Sequence, residues 1–261
     1  MGPGPLFDSL RHTDTVEIPP GWTQGRANYG GLVAALMYAR MAALQGEPRV
    51  LRSATVSFVG PVATGAVTVH AEVLREGKSV IQMEARLLQD GAVVAAMLAS
   101  FGAPRTSALA VDAAPAPAFA APDASRALPY LPGITPEFTQ HFDFRWAHGD
   151  LPFTGSPLAE LGGWMRMKRA GAGFDYTDLF LLGDAWPPAL LPMVQGPAPG
   201  SSLTWTLEPL QLPAGKTAGH WWQYLATTEY ARDGYGHCAA QIWDDEGRLV
   251  AISRQTVVVF A

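Results

Sequence analysis

The stretch LREGKSVIQMEARLLQDGAVVAAMLASFG, residues 74–102, holds two runs that alternate apolar with polar side chains, joined at Asp90 and Gly91. Alternation with period two marks strands with one buried face, and Asp-Gly supplies the left-handed backbone of a tight hairpin. The run before it, GAVTVHAEVLREG, ends in a second turn at Gly77 and Lys78, and RVLRSATVSFVGPV precedes that. Four Val-rich runs separated by such turns predict an antiparallel meander. Upstream, LVAALMYARMAAL, residues 32–44, is built of good helix formers without Gly or Pro. It is apolar nearly all round, broken mainly by Tyr38 and Arg40, as expected of a helix enclosed by a sheet. Asn28 is its expected cap, and Gly30 with Gly31 would let the backbone come close to a neighbour or a ligand.

The same order recurs in the second half. FTQHFDFRWAHG and LGGWMRMKRAG read as strands, DYTDLFLLGDA as a helix, and four further strands follow from SSLTWTLEPLQL onward. ARDGYGHCAAQIWDDEGRLVAISRQTVVVF, residues 231–260, can be laid over the opening stretch turn for turn. A repeat of this length indicates a duplicated domain. Between the halves the composition shifts to Ala and Pro, an extended linker that Phe119, Tyr130 and Leu131 could pin to a domain face. The division expected is therefore 1–104, a linker over 105–136, and 137–261. Each half is α+β, a helix packed across a curved antiparallel sheet, with the two sheets pairing edge to edge.

Composition excludes several classes. Hydrophobic residues make up 48% and charged residues 16% of 261, with a net charge of -5, which argues against disorder and against a polyanion partner such as nucleic acid. No apolar run approaches the roughly 18 to 20 residues of a membrane span, and the N-terminus lacks a signal pattern, so a cytoplasmic protein without membrane partners is expected. The single Cys238 forms no intramolecular disulfide and is expected to be a buried, inert thiol. P-loop, dinucleotide-binding and Gly-x-Ser-x-Gly patterns do not occur. The six histidines are scattered.

One acid stands out. In DYTDLFLLGDAWPPALL, residues 175–191, Asp184 lies at the end of an apolar helical stripe that Pro187 should stop near Ala185. A carboxylate in the last turn faces the negative end of the helix dipole, so stability alone does not favour it there. The other reading of the same residues is that Gly183 breaks the helix and Asp184 caps a short second one. Met37, Tyr38 and Met41 on the first helix, with Trp164, Phe180 and Trp186, are candidate walls of an apolar tunnel, and equally candidates for ordinary core.

NYGGLVAALM, TVSFVGPV, LREGKS, QDGAVVA, GDAWPPAL, SSLTWTLEPL, YARDGYG and DDEGRLVAISRQ, in this order and spacing, resemble the acyl-CoA thioesterase II (TesB-like) family over nearly the whole chain. That resemblance implies a double hotdog fold, an acyl-CoA substrate, no cofactor, a role in fatty acid metabolism, and a homodimer among the assemblies open to it. It also implies that Asp184, Ser202 and Gln255 jointly hold a water that attacks the thioester. Ser202 replaces the family's more usual Thr, and Thr204, on the same face if the strand is regular, is the rival hydroxyl. EPLQLP departs from the family's aromatic and Arg-Pro pattern, which puts a coenzyme phosphate contact in doubt. Backbone amides near Gly30 and Gly31, or near Gly173, are candidate oxyanion donors. A protein that keeps the fold and binds acyl or hydrophobic ligands without cleaving them is the alternative.

Overall fold

The computed structural model describes residues 2–169 and 171–260. In chain order the first half runs α1 (Gly4–Ser9), β1 (Thr15–Ile18), β2 (Thr23–Gln24), β3 (Ala27–Asn28), α2 (Gly30–Ala43), β4 (Val50–Phe58), β5 (Gly65–Glu76), β6 (Val80–Gln89) and β7 (Ala92–Gly102). The second runs β8 (Arg126–Leu128), β9 (Phe142–Gly149), β10 (Glu160–Met167), α3 (Tyr176–Gly183), β11 (Gly200–Pro209), β12 (Trp222–Arg232), β13 (Tyr235–Trp243) and β14 (Leu249–Val259).

The alternation in the sequence becomes the two faces of one sheet. Along β7, Ala95, Met97, Ala99 and Phe101 are buried, and along β14 Ala251, Ser253, Val257 and Val259 are. Asp90 and Gly91 both take positive φ, 52° and 78°, as do Asp233 and Gly234 at 56° and 80°. These are the primed turns that match strand twist, so the Asp-Gly pairs fix the register of both meanders. Strand order is β1-β5-β6-β7-β4-β11-β14-β13-β12-β10-β9-β8. Each half repeats strand, helix, then four strands, with β1 lying on β5 as β10 lies on β12. The halves join through β4 and β11, where Ala54 to Ser57 pair with Leu207 to Thr204 and the hydroxyls of Thr55 and Thr206 meet at 3.1 Å. This pairing consumes an edge of each half-sheet that would otherwise be open to another chain.

Helices α2 and α3 pack against one another, and one apolar core takes in residues of both halves. Nine of the fourteen residues of α2 are buried, as its all-round apolar surface requires. The helix begins at Gly30, and Tyr29 rather than Asn28 is its N-cap, without a side-chain capping bond. Asn28 is committed to the β2–β3 hairpin, where its amide donates to the Val62 carbonyl at 2.6 Å. Nor is the Ala/Pro segment a bare linker. Its residues 126–128 form β8 on β9, and its Pro117 and Ala120 carbonyls accept from Gln223 and Trp164 at 2.6 and 2.9 Å. Phe119 stacks on His148, whereas Leu131 is exposed. Among the described residues no helix is long and apolar enough to cross a membrane.

Candidate active site

Asp184 is the C-cap of α3 and starts no helix of its own. The capping acid is Asp175, whose side chain accepts from the Asp178 amide while Asp178 reaches back to the Asp175 amide. The carboxylate of Asp184 therefore sits at the unfavourable end of α3. Two groups offset this: Gln255 Nε2 donates to Oδ1 at 3.0 Å, and the Gly31 backbone N–H at the start of α2 favours the charged form. The positive end of α2 thus faces the acid. Glycine is required for the approach, because a Cβ on Gly30 would lie 2.7 Å from Asp184 Oδ2 and 3.0 Å from Phe58 Cζ. The Tyr29 hydroxyl donates to the Leu181 carbonyl, so it satisfies a last-turn carbonyl of α3 and ties the two helices together beside the acid.

Burial pushes the Asp184 carboxyl up to about 7, against the lowering pull of Gln255 and Gly31. A buried acid that titrates near neutrality is suited to taking and returning a proton. Beside it is a small cavity of about 10 Å³, the scale of one water molecule. Asp184, Gln255, Ser253, Trp186, Tyr224 and Cys238 are among its walls. Trp186 stacks on Tyr224 with centroids 5.6 Å apart, and its buried Nε1 has no partner among the described residues. A Cβ on Gly163 would come within 2.9 Å of the Trp186 ring, so that glycine makes its space. Cys238 is buried, and burial raises its thiol above the ordinary range.

The other residues singled out in the sequence divide. Ser202 lies opposite Val257, which is buried, so it shares the inner face with Gln255 and is diagonal to it. Such a diagonal spans about 7–8 Å between Cα atoms. The side chain that donates to the carboxylate is Gln255, and Ser202 is not among the cavity walls. Thr204 does not share the face of Ser202. A bulge between Ser202 and Thr204 inserts one residue, so Thr204 opposes Thr256 and is exposed. Gly173 precedes the N-cap of α3, at the opposite end of that helix from Asp184. Of the tunnel candidates only Trp186 lines the cavity. Met37 and Met41 are fully buried core, Tyr38 packs against Phe101, Tyr176 and Phe180, and Phe180 meets Trp205 edge-on. Trp164 points outward, opposite to its buried neighbour Met165, and is covered by the 105–136 segment. Trp205, Tyr224 and Ser253 are among the wall residues that the sequence reading does not single out. Ser253 was legible, since it lies two residues before Gln255 on a strand and so shares its face.

Residues 18–102 match the acyl-CoA thioesterase N-terminal domain and residues 108–259 the acyl-CoA thioesterase C-terminal domain. No curated protein matches the chain. Among solved structures, a hot dog fold protein of unknown function from Alicyclobacillus acidocaldarius has a TM-score of 0.86 at 21% identity, covering 98% of both chains. The tesB protein of Mycobacterium avium subs paratuberculosis has 0.78 at 14%, covering all of both chains, and the acyl-CoA thioesterase II TesB2 of Mycobacterium marinum has 0.71 at 17%, covering 97% of each. At these identities the structures establish the shared fold, a double hotdog. The two domain matches span most of the sequence and carry the assignment further: this chain belongs to the acyl-CoA thioesterase family, hydrolases of acyl-CoA thioesters.

Proposed function

We propose that the chain cleaves an acyl-coenzyme A by direct attack of water, with Asp184 as general base and Gln255 orienting the pair. The observation that carries this reading is the 3.0 Å Gln255–Asp184 bond on the wall of a water-sized cavity. In the proposed reaction the water gives a proton to Asp184 as its oxygen bonds to the thioester carbon. The carbonyl then bears negative charge, and its collapse breaks the carbon–sulfur bond. The proton held on Asp184 neutralises the departing thiolate. Gln255 Nε2 is spent on the carboxylate, which leaves its carbonyl oxygen free to accept the water's second proton.

For the oxyanion, the Gly30 amide is the better of the two glycine candidates. It belongs to the first turn of α2, where amides lack intrahelical partners, and the Gly31 amide already serves Asp184. The unpartnered Trp186 indole on the cavity wall is a second available donor. The test is thiol release from a panel of short, long, branched and aromatic acyl-CoAs. Release that depends on Asp184 is expected. A folded protein that binds these thioesters and cleaves none would instead be the binding protein of the alternative.

A further inference from the structure

We infer that Ser253 is a catalytic residue of this site, the hydroxyl that holds the attacking water beside Asp184, and that Trp205 is the residue that positions it. The inference rests on the thioesterase reading for its chemistry and on the structure for its geometry. An indole N–H can only donate, whereas a serine hydroxyl has one proton to give and two places to accept. Trp205 Nε1 donates to Ser253 Oγ at 2.8 Å. That bond fills an accepting position, so the hydroxyl proton must point elsewhere. No acceptor for it is present among the described side chains and carbonyls, and Ser253 is only 5% exposed, so bulk water does not supply one. What Ser253 does face is the cavity whose wall it shares with Asp184 and Gln255. A buried donor without a partner is costly, and a water in that cavity would accept from Ser253 while donating to the carboxylate.

The arrangement is fixed from several sides. Ser253 and Gln255 alternate on the same face of β14, and Trp205 lies directly opposite Gln255 on β11. Trp205 is 1% exposed, with Phe180 edge-on to it at 5.8 Å and Gly183 against its ring, where a Cβ would stand 3.1 Å away. The glycine that ends α3 therefore seats the indole that aims the serine, one residue before the acid itself. Ser202 has no such fixing. It lies farther along the strand pair, opposite Val257 and outside the cavity wall.

The experiment pairs a crystal structure that resolves waters with steady-state thiol release by Ser253→Ala, Ser202→Ala, Trp205→Phe and the double variant Ser253→Ala/Trp205→Phe. In the unmodified protein a water is expected within about 3.2 Å of both Ser253 Oγ and the Asp184 carboxylate. Ser253→Ala should lower kcat about tenfold, the worth of one hydrogen bond, with KM little changed. Trp205→Phe should lower kcat by less, because the hydroxyl remains but is no longer aimed, and Ser202→Ala should also cost less than Ser253→Ala. The double variant removes both partners of the buried bond, so it keeps the comparison available if the single change leaves the indole unpaired and the fold weakened. No water on Ser253 Oγ, full turnover in a folded Ser253→Ala, or a larger loss in Ser202→Ala would each overturn the inference. If the water is present and the unmodified protein cleaves no acyl-CoA, the thioesterase reading fails and so does the catalytic role of Ser253.

Discussion

Strands β7 and β14 close the two halves, and they carry different residues at matching places. Counted from the turn glycines Gly91 and Gly247, Ala95 corresponds to Ala251 and Phe101 to Val257, all inward. Between them β7 presents Met97 and Ala99, buried and apolar, where β14 presents Ser253 and Gln255. The topology is repeated but the polar pair is not. The helices differ in the same sense: α2 is long, apolar and uncapped, whereas α3 has eight residues, a capping box and an acid at its end. The first half contributes to the site chiefly the start of α2, through Gly30 and Gly31. In the proposed reaction, the duplicated scaffold confines the chemistry to one copy and leaves the other as the wall and the dipole that support it.

The comparison breaks most visibly at the acid. Asp184→Asn should lower turnover by about 10² to 10⁴-fold, the usual contribution of a general base, in a protein that remains folded. Thiol release beside thermal unfolding reads both, and unaltered turnover would remove Asp184 from the reaction. The same carboxyl sets a pH dependence. With its folded value near 7, kcat/KM should rise through that pH to a plateau and lie about a hundredfold lower two units below it.

Stability should run in the opposite direction. The folded pKa lies above the ordinary 3.8, so the stability owed to protonated Asp184 is full below about pH 4 and is lost as pH rises to about 7. Asp184→Asn should therefore gain relative to the unmodified protein across that window. Asp178, pushed up to about 7 by burial and the adjacent Asp175, titrates in the same range, and Asp178→Asn separates its share.

Smaller effects test each half's part. Gly30→Ala would push a methyl against Asp184 and Phe58, and a shift of about 1 Å in the acid can cost up to about 10²-fold in kcat. An active Gly30→Ala with unchanged kcat would show that the first half does not set the acid's position. Gln255→Ala should cost about tenfold, since the base remains while one orienting bond is lost. Trp164→Phe, which severs only the bond to Ala120 on the outer face, should leave kcat alone and lower stability by no more than about 1.5 kcal/mol. A change in acyl preference there would return Trp164 to the substrate path.

The sequence by itself determined the meanders, their Asp-Gly turns, the enclosed first helix and a second helix expected to stop near Ala185, because hydrophobic period, turn residues and proline act over a few residues each. Gln255 and its pairing with Asp184 came from family resemblance, since the two are far apart in the chain. Only the tertiary structure decided what meets what. A one-residue bulge after Ser202 turned Thr204 outward, and no composition signals such a bulge. The enclosure of α2 beside α3 made core of Met37 and Met41, while strand alternation turned Trp164 toward the 105–136 segment. Burial, which exists only once both halves have closed, raised the acid toward neutrality and left a space of one water beside it.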